Sequence, residues 1–125
     1  GKNGKSWFLF EWAARTYPQA ALVFKQDADT LVDWRNATPL LLGQVSDCPA
    51  ALSRLVLGKR HAARPRCPGG SLYGLSGDVA RWVAEHRRPR AGNEDYVACG
   101  WLLEFERRVA PLDRRGLLPP ALFRG

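Results

Sequence analysis

Two short acidic segments carry the residue types most able to do chemistry. Asp27-Ala28-Asp29 follows Ala20-Ala21-Leu22-Val23-Phe24, a continuous apolar run of the kind that forms a buried strand. The two carboxylates then emerge at the strand's end, where open α/β sheets place their ligands. A pair of carboxylates one residue apart offers hard oxygen donors to Mg²⁺ or Mn²⁺, ions that complete their shells with water and substrate phosphates. The matching ligand is a nucleotide diphosphate. An Asx-type turn, in which acids satisfy their own backbone, uses the same residues. The second segment, Glu94-Asp95, follows Asn93 at the start of an apolar-periodic stretch, and acids in a helix's first turn also complement its dipole. Together the segments form the minimal kit for displacement at a sugar carbon. One holds a diphosphate leaving group through a metal, and the other deprotonates the attacking hydroxyl.

These groups need elements to hold them. Residues 5–17 are rich in Trp and Phe, with Glu11 and Arg15 on another side, and predict a sheet-covering helix opened by Asn3 and closed before Pro18. Residues 20–24 predict the buried strand. Thr38-Pro39 reads as an N-cap and first-turn pair, so a short helix is expected over 39–44. Residues 52–59 predict a second strand, 64–70 a loop, and 71–75 a third strand. Asp78 is placed to cap a helix running to about residue 87, and Asn93 to open another that ends at residue 108. The tail, with Pro111, Pro119 and Pro120, reads as irregular. The expected architecture is therefore α/β or α+β, a mixed sheet covered by helices, with residues 1–125 forming the C-terminal portion of a single domain.

Composition narrows the class. The chain has 125 residues, 46% apolar and 25% charged, which excludes global disorder and allows one modest core. It begins Gly1-Lys2-Asn3 and contains no methionine, so a fragment of a longer chain is expected. No apolar run approaches the roughly 20 residues of a membrane span. The net charge of +7 is mostly arginine, clustered as Arg64-Pro65-Arg66, Arg87-Arg88-Pro89-Arg90, Arg107-Arg108 and Arg114-Arg115. Something anionic is the natural partner, either a diphosphate or membrane headgroups. These arginines lack interleaved aromatics and any nucleic-acid motif, so no nucleic-acid partner is expected. Cys48, Cys67 and Cys99 match neither paired zinc spacing nor a dense disulfide framework, and in an oxidising lumen two of them could pair.

Lys25-Gln26-Asp27-Ala28-Asp29-Thr30-Leu31-Val32 resembles the Lys-x-Asp-Asp-Asp-x-hydrophobic-Val segment of the β-1,3-galactosyltransferase and β-1,3-N-acetylglucosaminyltransferase family, which includes the Fringe proteins. Lys5-Ser6, Trp12, Tyr17-Pro18 and Ala20 are similar to that family's approach to the strand. Cys67-Pro68-Gly69-Gly70-Ser71-Leu72-Tyr73-Gly74-Leu75-Ser76 is similar to its Gly-rich Tyr-Val-Leu-Ser strand, and Glu94-Asp95-Tyr96-Val97 to its Glu-Asp-Val box. The matches keep their order from residue 5 to about 104.

The resemblance implies a GT-A fold and an inverting hexosyltransferase. It would move galactose or N-acetylglucosamine from a UDP-sugar to a glycan hydroxyl, in a β-1,3 linkage. Asp29 would ligate Mn²⁺ or Mg²⁺, Asp27 would meet the metal shell or the nucleotide sugar, and Asp95 would be the general base with Glu94 in support. Lys25, Gly69 and Gly70 would contact donor or acceptor, the glycines because any Cβ would intrude on a sugar. Trp34, Tyr73 and Trp101 are candidates to line the acceptor cleft, and Cys67 and Cys99 to pair. The expected setting is the Golgi lumen, with a membrane anchor and a uridine-binding half before residue 1, and a metal-binding histidine after residue 125. Neither His61 nor His86 is expected to bind metal. Ala28 replaces the triplet's middle acid and leaves the aspartate pair. The alternative is a non-catalytic glycan- or protein-binding relative.

Overall fold

The computed structural model describes residues 4–27, 31–43 and 52–123. Ala28, Asp29 and Cys48 lie outside these residues, as does Asn3, the expected opening of the first helix. In chain order the elements are α1 (Lys5–Thr16), β1 (Leu22–Gln26), α2 (Trp34–Leu42), β2 (Val56–Arg60), β3 (Pro68–Ser76), α3 (Gly77–His86), α4 (Glu94–Arg108) and β4 (Leu117–Leu118), then a 3₁₀ turn over Pro120–Phe123. The class is α/β.

The four strands form one mixed sheet in the order β1-β3-β2-β4. β3 is antiparallel to both β1 and β2, whereas β4 runs parallel to β2. Because strand side chains alternate between faces, the sheet carries two cores. Val56, Tyr73 and Leu75, with Val23 packed alongside, meet Phe10 of α1, Val79 and Val83 of α3, and Leu102 and Phe105 of α4. Leu57, with Leu22 and Phe24 beside it, meets Ala37 and Leu41 of α2 on the opposite face. Gly58 sits where the β2–β3 register shifts, at φ 123°, and a Cβ there would lie 2.7 Å from Tyr73 Cα. Glycine relieves both the backbone conformation and the crowding.

The structure corrects several expected boundaries. α2 begins at Trp34 instead of residue 39, because Asp33 caps it: its carboxylate accepts from Arg35 N at 3.2 Å and from Asn36 Nδ2 at 2.8 Å. Pro39, which read as a first-turn residue, lies inside that helix. Ser76 is the N-cap of α3 and Asp78 belongs to its first turn, where it accepts from Ser76 Oγ at 2.5 Å and Arg54 N at 3.0 Å. The tail is not wholly irregular. Gly58 N donates to Gly116 O at 2.8 Å, drawing Leu117–Leu118 alongside β2 as a short parallel strand.

Candidate active site

Strand directions decide which residues can meet. Since β1 and β2 both run against β3, their carboxyl ends lie at the edge of the sheet where β3 starts. Asp27 leaves β1 there, its N–H donating to Ser71 O at 3.0 Å, and His61 leaves β2 there, its N–H donating to Cys67 O at 2.8 Å. Gly69 and Gly70 lie between them at the beginning of β3.

Asp95 reaches this edge from the other direction, on the first turn of α4. Asn93 is the N-cap of that helix, accepting from Asp95 N at 3.0 Å through its side chain. The Asp95 carboxylate then lies directly against Gly70, with Oδ1 overlapping the place where a Cβ on that residue would stand. At Gly69 the nearest atom to an added Cβ is Lys59 O, at 3.5 Å, an ordinary contact. Within the chain itself a Cβ would be crowded at Gly70, where it would meet Asp95, and not at Gly69.

Lys25 joins the two acidic segments. Its ammonium group donates to Asp27 Oδ1 and to Gly70 O, and its side chain is 13% exposed. Asp27 and Asp95, remote in sequence, thus converge on the same glycine, one through Lys25 and the other directly. Asp27 is the more open of the two acids, at 43% side-chain exposure, and among the described residues its Oδ2 takes no hydrogen bond. It retains a hard oxygen donor that fits a divalent cation. No cluster of three or more His, Cys, Asp or Glu side chains able to hold a metal forms among the described residues, and Asp29 lies outside them.

Glu94 has a different position. Its Oε1 accepts from Lys5 N at 3.1 Å and its Oε2 from Ser6 N at 3.4 Å. Among the described residues α1 has no side-chain cap of its own, Gly4 standing at its N-cap position. Glu94 therefore satisfies backbone donors that a helix start leaves free, and an acid there also complements the dipole. The first turn of α4 divides its labour: one acid locks α1 and the next faces the sheet edge.

Tyr73, opposite Lys25 across the β1–β3 ladder, is buried at 2% exposure, and among the described residues its hydroxyl makes no hydrogen bond. Burial is the main reason its pKa is raised well above the ordinary phenol range, and the charges of Glu94, Asp95 and Asp27 push the same way. Ser6 lies close enough to pull in the opposite direction, though outside hydrogen-bond geometry. The phenol stays protonated, under the influence of three carboxylates. Trp34, Tyr73 and Trp101 do not line one cleft: Tyr73 and Trp101 belong to the core, while Trp34 packs on Phe24 across the sheet.

His61 is the neighbour that sequence reasoning passed over. Its Nδ1 accepts from Ala63 N at 3.0 Å and Arg64 N at 3.1 Å, which leaves the proton on Nε2, 3.9 Å from Asp95 Oδ2. The available signal was its place just after a strand parallel to β1. Tyr96 lies beside it, with the Arg64 guanidinium 4.1 Å above the ring. Cys67 and Cys99 are joined by a disulfide, Cα atoms 5.3 Å apart, tying the approach to β3 to α4. A cavity of about 190 Å³ beneath α2, lined by Asp33, Lys59 and Ser71 among apolar groups, contains none of the converging residues. No protein-family model, curated protein or solved structure matches this chain.

Proposed function

We propose that the chain carries the catalytic centre of an inverting, metal-dependent hexosyltransferase that moves galactose or N-acetylglucosamine from a UDP-sugar to a glycan hydroxyl. The observation that supports this reading best is the convergence of Asp27 and Asp95 on Gly70. Displacement at an anomeric carbon needs a base on the acceptor side and charge neutralisation on the leaving-group side, held apart from each other. Asp95 fits the first role. Its backbone is fixed by the Asn93 cap, its Oδ1 rests on Gly70, and Oδ2 faces the Nε2 proton of His61. In this proposal it takes the acceptor hydroxyl's proton as the oxygen attacks.

Asp27 and, by resemblance, Asp29 are the residues that would hold Mn²⁺ or Mg²⁺. That ion would neutralise the departing diphosphate. Lys25 keeps Asp27 at the edge and adds positive charge close to it, while its bond to Gly70 O couples the donor side to the strand on which Asp95 rests. A Golgi-luminal setting, with the anchor outside these residues, belongs to the same proposal. The direct test is calorimetric titration of the full-length protein with UDP-galactose and UDP-N-acetylglucosamine, with and without Mn²⁺. Binding of one donor that requires the metal, with the requirement lost in Asp29→Ala, supports the reading. Equal affinity with and without metal would sink it.

A further inference from the structure

The arginines at the ends of α3 and α4 assemble into one feature. Arg87, Arg88 and Arg90, just beyond α3, face Arg107 and Arg108 in the last turn of α4 across a groove of about 550 Å³. That is within the roughly 300–1,000 Å³ of small-molecule clefts. Among the described residues its lining holds one acid, Glu104.

Glu104 does not cancel this charge so much as organise it. Its carboxylate accepts from Arg107 Nη2 at 2.5 and 2.7 Å, from Arg108 Nε at 3.0 Å and from Arg87 Nη2 at 3.2 Å. Three guanidinium groups are gathered around one acid, with N–H groups left to donate. Arg88 and Arg90 are exposed and form no ion pair among the described residues. The wall that carries them is pinned at two points: Trp7 Nε1 donates to Arg87 O at 2.8 Å, and Pro89 packs so closely on Gly4 that a Cβ there would lie 2.6 Å from Pro89 Cβ. The floor is open at Gly100, where an added Cβ would meet nothing within 4 Å, and Tyr96 presents an exposed ring at the end nearest Asp95.

We propose that this groove binds a saccharide bearing sulfate or phosphate esters. Guanidinium forks suit the oxygens of such esters, and a prebuilt cluster loses little freedom on binding. The exposed tyrosine and glycine floor give a sugar ring a surface to lie on. A bilayer offers a plane, whereas these charges converge in a concavity. A nucleic acid would call for a longer charged track with several exposed rings, and among the described residues Tyr96 is the only exposed ring lining the groove. The inference does not depend on transferase activity, because it concerns binding alone.

The test is titration of the full-length protein with a trisulfated disaccharide, beside inorganic sulfate, phosphatidylserine vesicles and a single-stranded oligonucleotide. Saturable binding of the disaccharide is expected, at least tenfold tighter than inorganic sulfate. It should weaken at least tenfold in Arg88→Ala/Arg90→Ala, and hold in Arg15→Ala/Arg35→Ala, which removes the same charge from exposed positions elsewhere. Gly100→Phe leaves the charge untouched and blocks the floor, so it should abolish binding while raising or preserving the melting temperature. That variant decides the matter even if the arginine pair disturbs folding. Equal losses in the two arginine pairs, full binding by Gly100→Phe, sulfate binding as tightly as the disaccharide, or saturation by vesicles or oligonucleotide alone would each overturn the proposal.

Discussion

Asp95 stands where a side chain on Gly70 would have to begin. That relationship joins a strand start to a helix start, and it explains why the second glycine of a Gly-Gly pair is needed whatever its neighbour does. Gly70→Ala must push the carboxylate out of place, and a displacement of about 1 Å at a reacting group can cost roughly 100-fold in rate. We expect kcat for transfer to fall by about that factor in Gly70→Ala, with Gly69→Ala close to wild type. Equal activity in both variants would contradict the placement of Asp95.

Glu94 predicts a loss of stability. Glu94→Ala removes the only side-chain acceptor described at the start of α1, and a lost N-terminal cap costs about 1 kcal/mol. Urea unfolding should show a lower midpoint with an unchanged slope. An unchanged midpoint would mean that the cap contributes nothing.

Glu106 sets an acid limit. Arg114 grips it with both nitrogens, at 2.7 and 2.5 Å, and Leu112 N and Arg66 add further bonds. Hydrogen bonding from Arg114 is the largest cause that lowers its pKa, from 4.5 to about 2. A carboxyl group depressed on folding contributes stability that is fully present above its unfolded value and is lost as pH falls through the folded one. The contribution is on the order of 1–2 kcal/mol after allowance for solvent screening. Stability should therefore decline between about pH 4.5 and 2, and Glu106→Gln should show a shallower decline in the same window. Identical profiles for the two proteins would remove Glu106 from the account.

The disulfide makes a redox prediction. Cys67 and Cys99 are 32 residues apart, and closing a loop of that size stabilises by about 3–4 kcal/mol in the chain-entropy model. Reduction, or Cys99→Ser, should lower the melting temperature and slow transfer, because the bond ties α4, and hence Asp95, to the approach to β3. A reduced protein with unchanged melting temperature would argue that packing alone fixes α4.

What could be read from the sequence followed from local rules. Asn93 before two acids and an apolar period marked α4, and a short apolar run marked β1, because caps and burial patterns act over a few residues. The start of α2 was missed because Thr38-Pro39 imitates a helix opening, while Asp33 supplies one earlier. β4 was missed because two residues have no periodicity, and its strand character comes from β2 alone. His61 was missed for a similar reason. Its position beside Asp95 follows from β1 and β2 both running against β3, a relation between strands that no local pattern contains. Glu94 read as support for its neighbour, yet the helix start it serves lies far away in sequence.

The most direct measurement compares Asp95→Asn with the unaltered full-length protein in two assays run on the same preparation. One follows hexose transfer from the UDP-sugar in the presence of Mn²⁺, and the other follows metal-dependent donor binding. Asparagine keeps the size of the side chain and removes its ability to take a proton. The expected result is a fall in transfer of at least about 100-fold, the low end for loss of a general base, with donor affinity preserved. Full transfer by Asp95→Asn would contradict the central claim that this carboxylate, resting on Gly70, is the base.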